Sequence, residues 1–221
     1  MDAASPSSEP PRSSYHHGDL RASLVRAGYA LARAGGARAV TLRATTRRAG
    51  VSAPAAYRHF AGHDELLRAV SLLALADMAR RIEATQAEVT ASAPAERALA
   101  LLDAVGRGYV AFALDEPRAF DVALFAQLTM ADALHPDAAG DTGRTAYGLF
   151  QEALTGLVGV GLVAPAAAEL ASVHCWSVVH GFAALATTGP LRLTPRPELD
   201  ALAAALVREV VDAVTGARAR R

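Results

Sequence analysis

The chain has 221 residues, 52% of them hydrophobic and 5% aromatic, and its 22 arginines balance 22 acids to a formal charge of zero. That length allows one or two domains with a sizeable core, and an Ala-, Leu- and Val-rich composition poor in aromatics favours helices. A single cysteine excludes an intramolecular disulfide and fits a reducing cytoplasm, and no apolar run reaches membrane-spanning length without interruption.

Residues 1–14, MDAASPSSEPPRSS, lack the apolar core of a signal peptide and read as a disordered arm. Arg12 in that arm is either a phosphate or minor-groove contact or part of an idle tail. His16 and His17 do not make a metal site, because adjacent histidines at a helix start rarely share one ion and no third ligand lies at a useful spacing. Asp19 reads as an N-terminal helix charge. The helix it opens runs to about Ala34, with Leu20, Leu24, Ala27 and Leu31 as its buried stripe, and Gly35-Gly36 stops it.

The stretch Thr41 to Phe60, TLRATTRRAGVSAPAAYRHF, holds two short helical runs around a glycine turn. Leu42, Thr45, Thr46 and Ala49 share the inner face of the first run. Gly50 takes the positive φ needed just past it, Ser52 is placed as an N-cap, and Pro54 fits an early helical position. Ala56, Tyr57 and Phe60 face inward on the second run. Such a pair is either an ordinary helical hairpin or a helix-turn-helix whose second helix enters the DNA major groove. Charge favours the second reading. Between Arg43 and Arg58 there are four arginines and no acid, and residues 1–82 carry 12 Arg against 6 acids, whereas residues 83–221 carry 10 Arg against 16 acids. A basic first part on an acidic remainder fits a nucleic-acid module joined to something else.

Gly62 breaks the chain, and Asp64 and Glu65 open a helix that continues to about Glu88 and joins the two parts. A helix at about 95–115 puts Leu99, Leu102, Tyr109 and Phe112 inward. Shorter helices at about 117–126 and 127–134 precede an exposed loop, His135 to Gly143. A helix at about 144–160 carries Tyr147, Phe150, Leu154 and Leu157. The next, from Pro165 to about Thr187, is apolar on nearly every side, so it should be buried against a second subunit as well as its own core. An amphipathic helix at about 197–214 uses Leu199, Leu202, Leu206, Val210 and Val214. No strand pattern and no internal repeat is evident.

The run Tyr15 to Leu67 resembles the DNA-binding domain of the TetR family of bacterial transcriptional repressors. The resemblance rests on Thr41, Ala49-Gly50-Val51-Ser52, Tyr57-Arg58-His59-Phe60 and Asp64-Glu65-Leu66-Leu67, and the opening Tyr15-His16-His17-Gly18-Asp19-Leu20-Arg21 is similar to one branch of that family. Trp176-Ser177-Val178-Val179-His180-Gly181 resembles the Trp-His-Gly (WHG) signature of one of its C-terminal domain types. The resemblance implies that Arg43 on the first helix and Ala53, Pro54, Ala55, Tyr57, Arg58 and His59 on the second face DNA. Ser52 joins that set, and Thr41, Tyr57 and His63 look like phosphate contacts. Arg43 and Arg58 could each fork onto a guanine, and Ala53 and Ala55 can only touch a thymine methyl. Pro54-Ala55 stands where the family often has Gly-Thr, His63 where it usually has Lys, and Thr46 where it has a small Ala, so the operator sequence is not readable.

A receptor domain needs a cavity, and Tyr109, Phe112, Phe125, Met130, Phe150, Trp176 and His180 are its candidate lining. Plain core is the default for any single one of them. No acid clearly selects a cation, so the expected effector is neutral or weakly acidic and hydrophobic, with Tyr109 and His180 as polar handles. Catalysis is not expected. His174, Cys175 and His180 point in different directions on one helix, and there is no G-x-S-x-G, phosphate loop or carboxylate cluster.

The expected fold is all-α. A disordered arm at 1–14 precedes a three-helix DNA-binding domain at 15–62, a linking helix at 63–88, a ligand-binding and dimerisation bundle at 89–216, and a loose tail at 217–221. The expected function is a cytoplasmic, homodimeric, ligand-responsive repressor without cofactor or metal. Its partners would be operator DNA and a small hydrophobic effector, with no membrane. The alternatives are a regulator with a filled core and no effector, or a helical small-molecule-binding or catalytic protein with a degenerate helix-turn-helix.

Overall fold

A computed structural model describes residues 17–125 and 129–216. The arm at 1–14 with Arg12, and the tail at 217–221, lie outside the described residues. Among these, ten α-helices follow one another with no strand, only an isolated antiparallel bridge between Ala139 and Thr145.

Helix α1 (His17–Gly35) buries Leu24, Ala27, Tyr29 and Ala32, while Leu20 and Leu31 are half-buried. Its buried arc is wider than one stripe because α2 (Leu42–Ala49) covers one side and two later helices, α4 (His63–Ala87) and α6 (Pro117–Phe125), cover the other. A 3-10 turn at Ala37–Ala39, not expected from the sequence, drops Val40 into the core. The Thr41 hydroxyl caps α2 by accepting the Ala44 N–H at 3.1 Å. At the other end Gly50 is left-handed, with φ 69°, and lets the Val51 N–H reach the Thr46 carbonyl at 3.0 Å.

Helix α3 (Ala53–Tyr57) is shorter than expected. Ala56 is buried, but Tyr57, expected inward beside it, faces solvent. Phe60 is buried from the turn beyond, where the His59 and Phe60 N–H groups both return to the Ala56 carbonyl. Ser52 occupies the N-cap position, but its hydroxyl accepts no capping bond. The second helical residue is Pro54, which has no N–H to give, and the Ala55 N–H is taken by the Ser52 carbonyl at 3.1 Å.

Helix α4 runs for 25 residues and has no exposed residue between Ala69 and Ala79, where it packs among α1, α5 (Pro94–Asp115), α6 and α8 (Ala146–Gly159). Leu66, Leu67 and Val70 join Val40 and Phe60 in one apolar cluster, and that cluster continues through Leu75, Met78 and Ile82 to Leu102, Phe150 and Val211. No polar layer separates the first three helices from the rest. The approach of α5 to α4 is set by Gly108, where an added Cβ would stand 2.8 Å from the Ile82 Cα.

Short α7 (Met130–Ala133) follows, capped by Thr129 and Asp132 reciprocally. A loop and α8 lead through a 3-10 turn at Pro165–Ala167 into α9 (Ala168–Thr187), and α10 (Arg196–Thr215) closes the bundle. The segment Pro165–Thr187 is long and apolar enough to cross a membrane, by length and composition alone. It packs on α5, α8 and α10 along one side only. Leu170 is 74% exposed and Val173 56%, so the burial expected from its sequence is not supplied within one chain. Val178 on the same helix is half-buried against the core.

Candidate nucleic-acid interface and effector cavity

Arg43, Arg47 and Arg48 on α2, and Ser52, Ala53, Pro54, Tyr57 and Arg58 on and around α3, are exposed. Thr41 is exposed as well, with its oxygen occupied by the cap, so its hydroxyl proton remains for a partner. Ala55 and His59 are half-buried. The sequence between Leu20 and His63 contains eight arginines and no acid, so this end of the molecule is cationic. Arg21 reaches from α1 over the Phe60 ring, 5.2 Å from its centroid, and ties the end of α3 to α1.

His63, expected as a phosphate contact, is bonded within the chain. Its Nε2–H donates to the Val40 carbonyl at 2.8 Å, and its Nδ1 lies 3.2 Å from Asp64, so it pins the start of α4 to the segment before α2. The short imidazole reaches a backbone carbonyl where a longer side chain would reach solvent. Two buried threonines hold the helix-turn-helix from within. The Thr46 hydroxyl donates to the Arg43 carbonyl at 3.1 Å. Thr45 Oγ1 is the one buried side-chain polar atom among the described residues without a hydrogen-bond partner.

Helix α4 connects this face to the other half through specific polar ties. The Tyr29 hydroxyl donates to Asp77 at 2.5 Å, and burial, more than that carboxylate, pushes the phenol upward. Arg33 on α1 holds Glu116 at the end of α5. The Ser71 hydroxyl, fully buried, donates to the Val122 carbonyl of α6 at 2.8 Å. Arg68 Nε donates to Asp132 on α7 at 2.7 Å. Asp132 is 6% exposed and also accepts the Thr129 N–H at 2.9 Å and the Thr129 hydroxyl at 2.8 Å. These bonds, the Thr129 backbone foremost and Arg68 after it, hold its carboxyl below the usual carboxylate range. The sequence reading missed this pair, although Thr129-x-x-Asp132 is the spacing of a capping box.

Between α4, α5, α7, α8, α9 and α10 lies a cavity of about 170 Å³. Leu75, Met78 and Ile82 of α4 form one wall, Val207, Val210 and Val211 of α10 another, and Thr129 and Met130 stand with Leu124 near the exposed side. Among the described residues no charged side chain lines it. Of the candidates read from sequence, Tyr109, Met130, Phe150 and Trp176 line this space. Phe112 does not; it is buried in the core cluster, three residues on from Tyr109 and turned to a different packing neighbour. The side chain of Phe125 lies outside the described residues. His180 stands behind the wall, its Nδ1 2.9 Å from the Tyr109 hydroxyl. Burial lowers His180 and raises Tyr109. Cys175 also lines the cavity, and burial raises its thiol to about 11, which keeps it protonated and unreactive. A second, open groove of about 570 Å³ lies across the end of α4 and the start of α5, where Arg144 pairs with Glu152 at 3.2 Å.

Two family descriptions match the chain. Residues 24–70 match "Bacterial regulatory proteins, tetR family", and residues 102–210 match "Tetracyclin repressor-like, C-terminal domain". No curated protein sequence matches it. Among solved structures, a protein of unknown function from Rhodococcus sp. RHA1 is 24% identical with a TM-score of 0.66, covering 92% of this chain and 100% of that one. A TetR transcription regulator from Haloarcula marismortui is 19% identical with a TM-score of 0.57, over 89% of this chain and 98% of that one. The TetR family regulator PfmR from Thermus thermophilus is 19% identical with a TM-score of 0.51, over 85% and 96%. At these identities the structures speak for the fold. Taken with the two family matches and the cationic helix-turn-helix, they lead to one conclusion: the chain belongs to the TetR family and is a DNA-binding transcriptional regulator.

Proposed function

We propose that the protein is a homodimeric repressor that reads a pseudo-palindromic operator and is released from it by a small hydrophobic effector held in the cavity between α4 and α10. One observation carries the effector part. The cavity wall includes Thr129 and Met130, and the short helix they open is bonded through Asp132 to Arg68, one turn from the start of the helix that bears on the DNA-binding face. A ligand that shifts α7 therefore acts on α4 directly, and differential binding to two positions of α4 is what linkage requires.

In this reading residues 15–62 bind DNA, 63–88 link, and 89–216 bind ligand and dimerise. Arg43 and Arg58 reach base edges, while Thr41, Ser52 and Tyr57 meet phosphates. His63 positions α4. The dimer forms through α8 and α9, whose outer face leaves Leu170, Val173 and Leu185 exposed in one chain. The two recognition helices then meet half-sites one helical turn or a multiple apart. Trp176 in the cavity wall, with His180 bonded to Tyr109 behind it, supports the Trp-His-Gly type of C-terminal domain. The test is selection of bound genomic fragments, followed by salt titration. A palindromic consensus with a steep salt dependence, and a loss of about 1–3 kcal/mol at one base pair with Arg43→Ala, supports the reading. Equal loss on all sequences makes Arg43 a phosphate contact, and no selected fragment at all refutes operator binding.

A further inference from the structure

The size and the polar edge of the cavity narrow the chemistry of what it holds. An apolar cavity of about 150 Å³ takes up benzene, so the 170 Å³ here suits a single ring with a short substituent, about six to nine non-hydrogen atoms. The absence of charged lining among the described residues excludes a buried anion or cation, since neither would find a counter-charge. What remains is the orientation of one polar group.

That group meets Tyr109. Its hydroxyl lies 2.9 Å from His180 Nδ1. His180, one turn after Trp176 on α9, is half-buried, and burial disfavours its charged form; in the neutral imidazole Nδ1 is either donor or acceptor. If Nδ1 carried the proton, the Tyr109 hydrogen would lose this acceptor, a costly arrangement for a part-buried hydroxyl. With Nδ1 as acceptor, the Tyr109 O–H donates to it and is satisfied. His180 Nε2 then carries the other proton, and that atom is not among the buried unpartnered ones. The phenol thus has no hydrogen left to give. It can only accept.

We infer that the cavity selects a small, neutral, single-ring ligand that carries a hydroxyl or similar donor, which it gives to the Tyr109 oxygen. This rests on the effector reading above and specifies its chemistry. Trp176 is the only tryptophan in the chain and lines the cavity, so its emission reports occupancy.

The experiment titrates the full chain with 4-ethylphenol, ethylbenzene, acetophenone, benzoate and the two-ring 4-phenylphenol, reading Trp176 fluorescence. We expect saturable binding of 4-ethylphenol, about tenfold weaker binding of ethylbenzene, as the loss of one hydrogen bond implies, and none of benzoate. Tyr109→Phe should bring 4-ethylphenol and ethylbenzene to equal affinity while ethylbenzene itself is unchanged. His180→Leu frees the Tyr109 proton and should raise acetophenone, an acceptor, relative to 4-ethylphenol. An unchanged 4-ethylphenol to ethylbenzene ratio in Tyr109→Phe, or benzoate or 4-phenylphenol binding best, overturns the donor-and-size inference and leaves the effector reading standing. No saturable response to any of the compounds overturns both.

Discussion

Filling the cavity from within should stabilise the protein and silence its response. Cys175 is 4% exposed and lines the void from α9. An unfilled apolar space costs roughly 24 cal/mol per Å³, so the 170 Å³ found here corresponds to about 4 kcal/mol of packing left unmade. A Cys175→Phe side chain that occupies about half of it recovers about 2 kcal/mol. For a chain of this length that raises the melting temperature by about 4–8 °C. Differential scanning calorimetry without ligand measures the shift. The same variant should show no further shift with hydrophobic compounds and should bind DNA as the unaltered chain does. A lower melting temperature together with intact ligand binding would refute the argument, because it would place Cys175 against packed side chains rather than against the void.

Three further outcomes follow from other residues. The folded Asp132 carboxyl is held below its ordinary range, so its contribution is present above that range and is lost as pH falls through its folded value. Asp132→Asn should therefore cost about 1–3 kcal/mol near neutrality and converge with the unaltered chain in acid, by chemical denaturation; a gap constant with pH means that Asp132 is not held as a carboxylate. Thr45→Val removes the unpartnered hydroxyl and should stabilise by about 1 kcal/mol, and a destabilisation of that size would reveal a hidden partner. Val173→Arg on the exposed face of α9 should give monomers by light scattering and abolish operator binding, whereas a folded monomer of the unaltered chain at micromolar concentration removes the dimer from the account.

Helices bounded by a glycine or proline break were legible from the sequence. The Gly50 turn, the Thr41 start and the long helices at α4, α5 and α9 follow from local rules that act within a few residues. What local rules could not supply was the direction of each apolar face once several neighbours compete for it. Tyr29 reads as a helix residue like any other until Asp77, 48 positions on, is brought to its hydroxyl. Phe112 and Tyr109 share a helical stripe in sequence, yet only Tyr109 meets the cavity. Trp176 and His180 fall on one face by spacing, but Tyr109, whose hydroxyl His180 meets, is 71 residues from it and invisible to periodicity. The exposure of Leu170 and Val173 shows the opposite limit: composition asks for burial, and one chain alone does not provide it.

In the proposed switch the cavity and the DNA-binding face share one free energy through α4. This coupling is tested most directly by measuring effector affinity, through Trp176 emission, in the absence of operator and at saturating operator. Operator affinity is measured in parallel, without and with saturating effector. Linkage requires the two ratios to be equal, and a working switch places them in the range of about 5–150-fold. The account predicts equal ratios in that range, which fall towards one in Asp132→Asn. An effector that binds the cavity equally well with and without operator would contradict it.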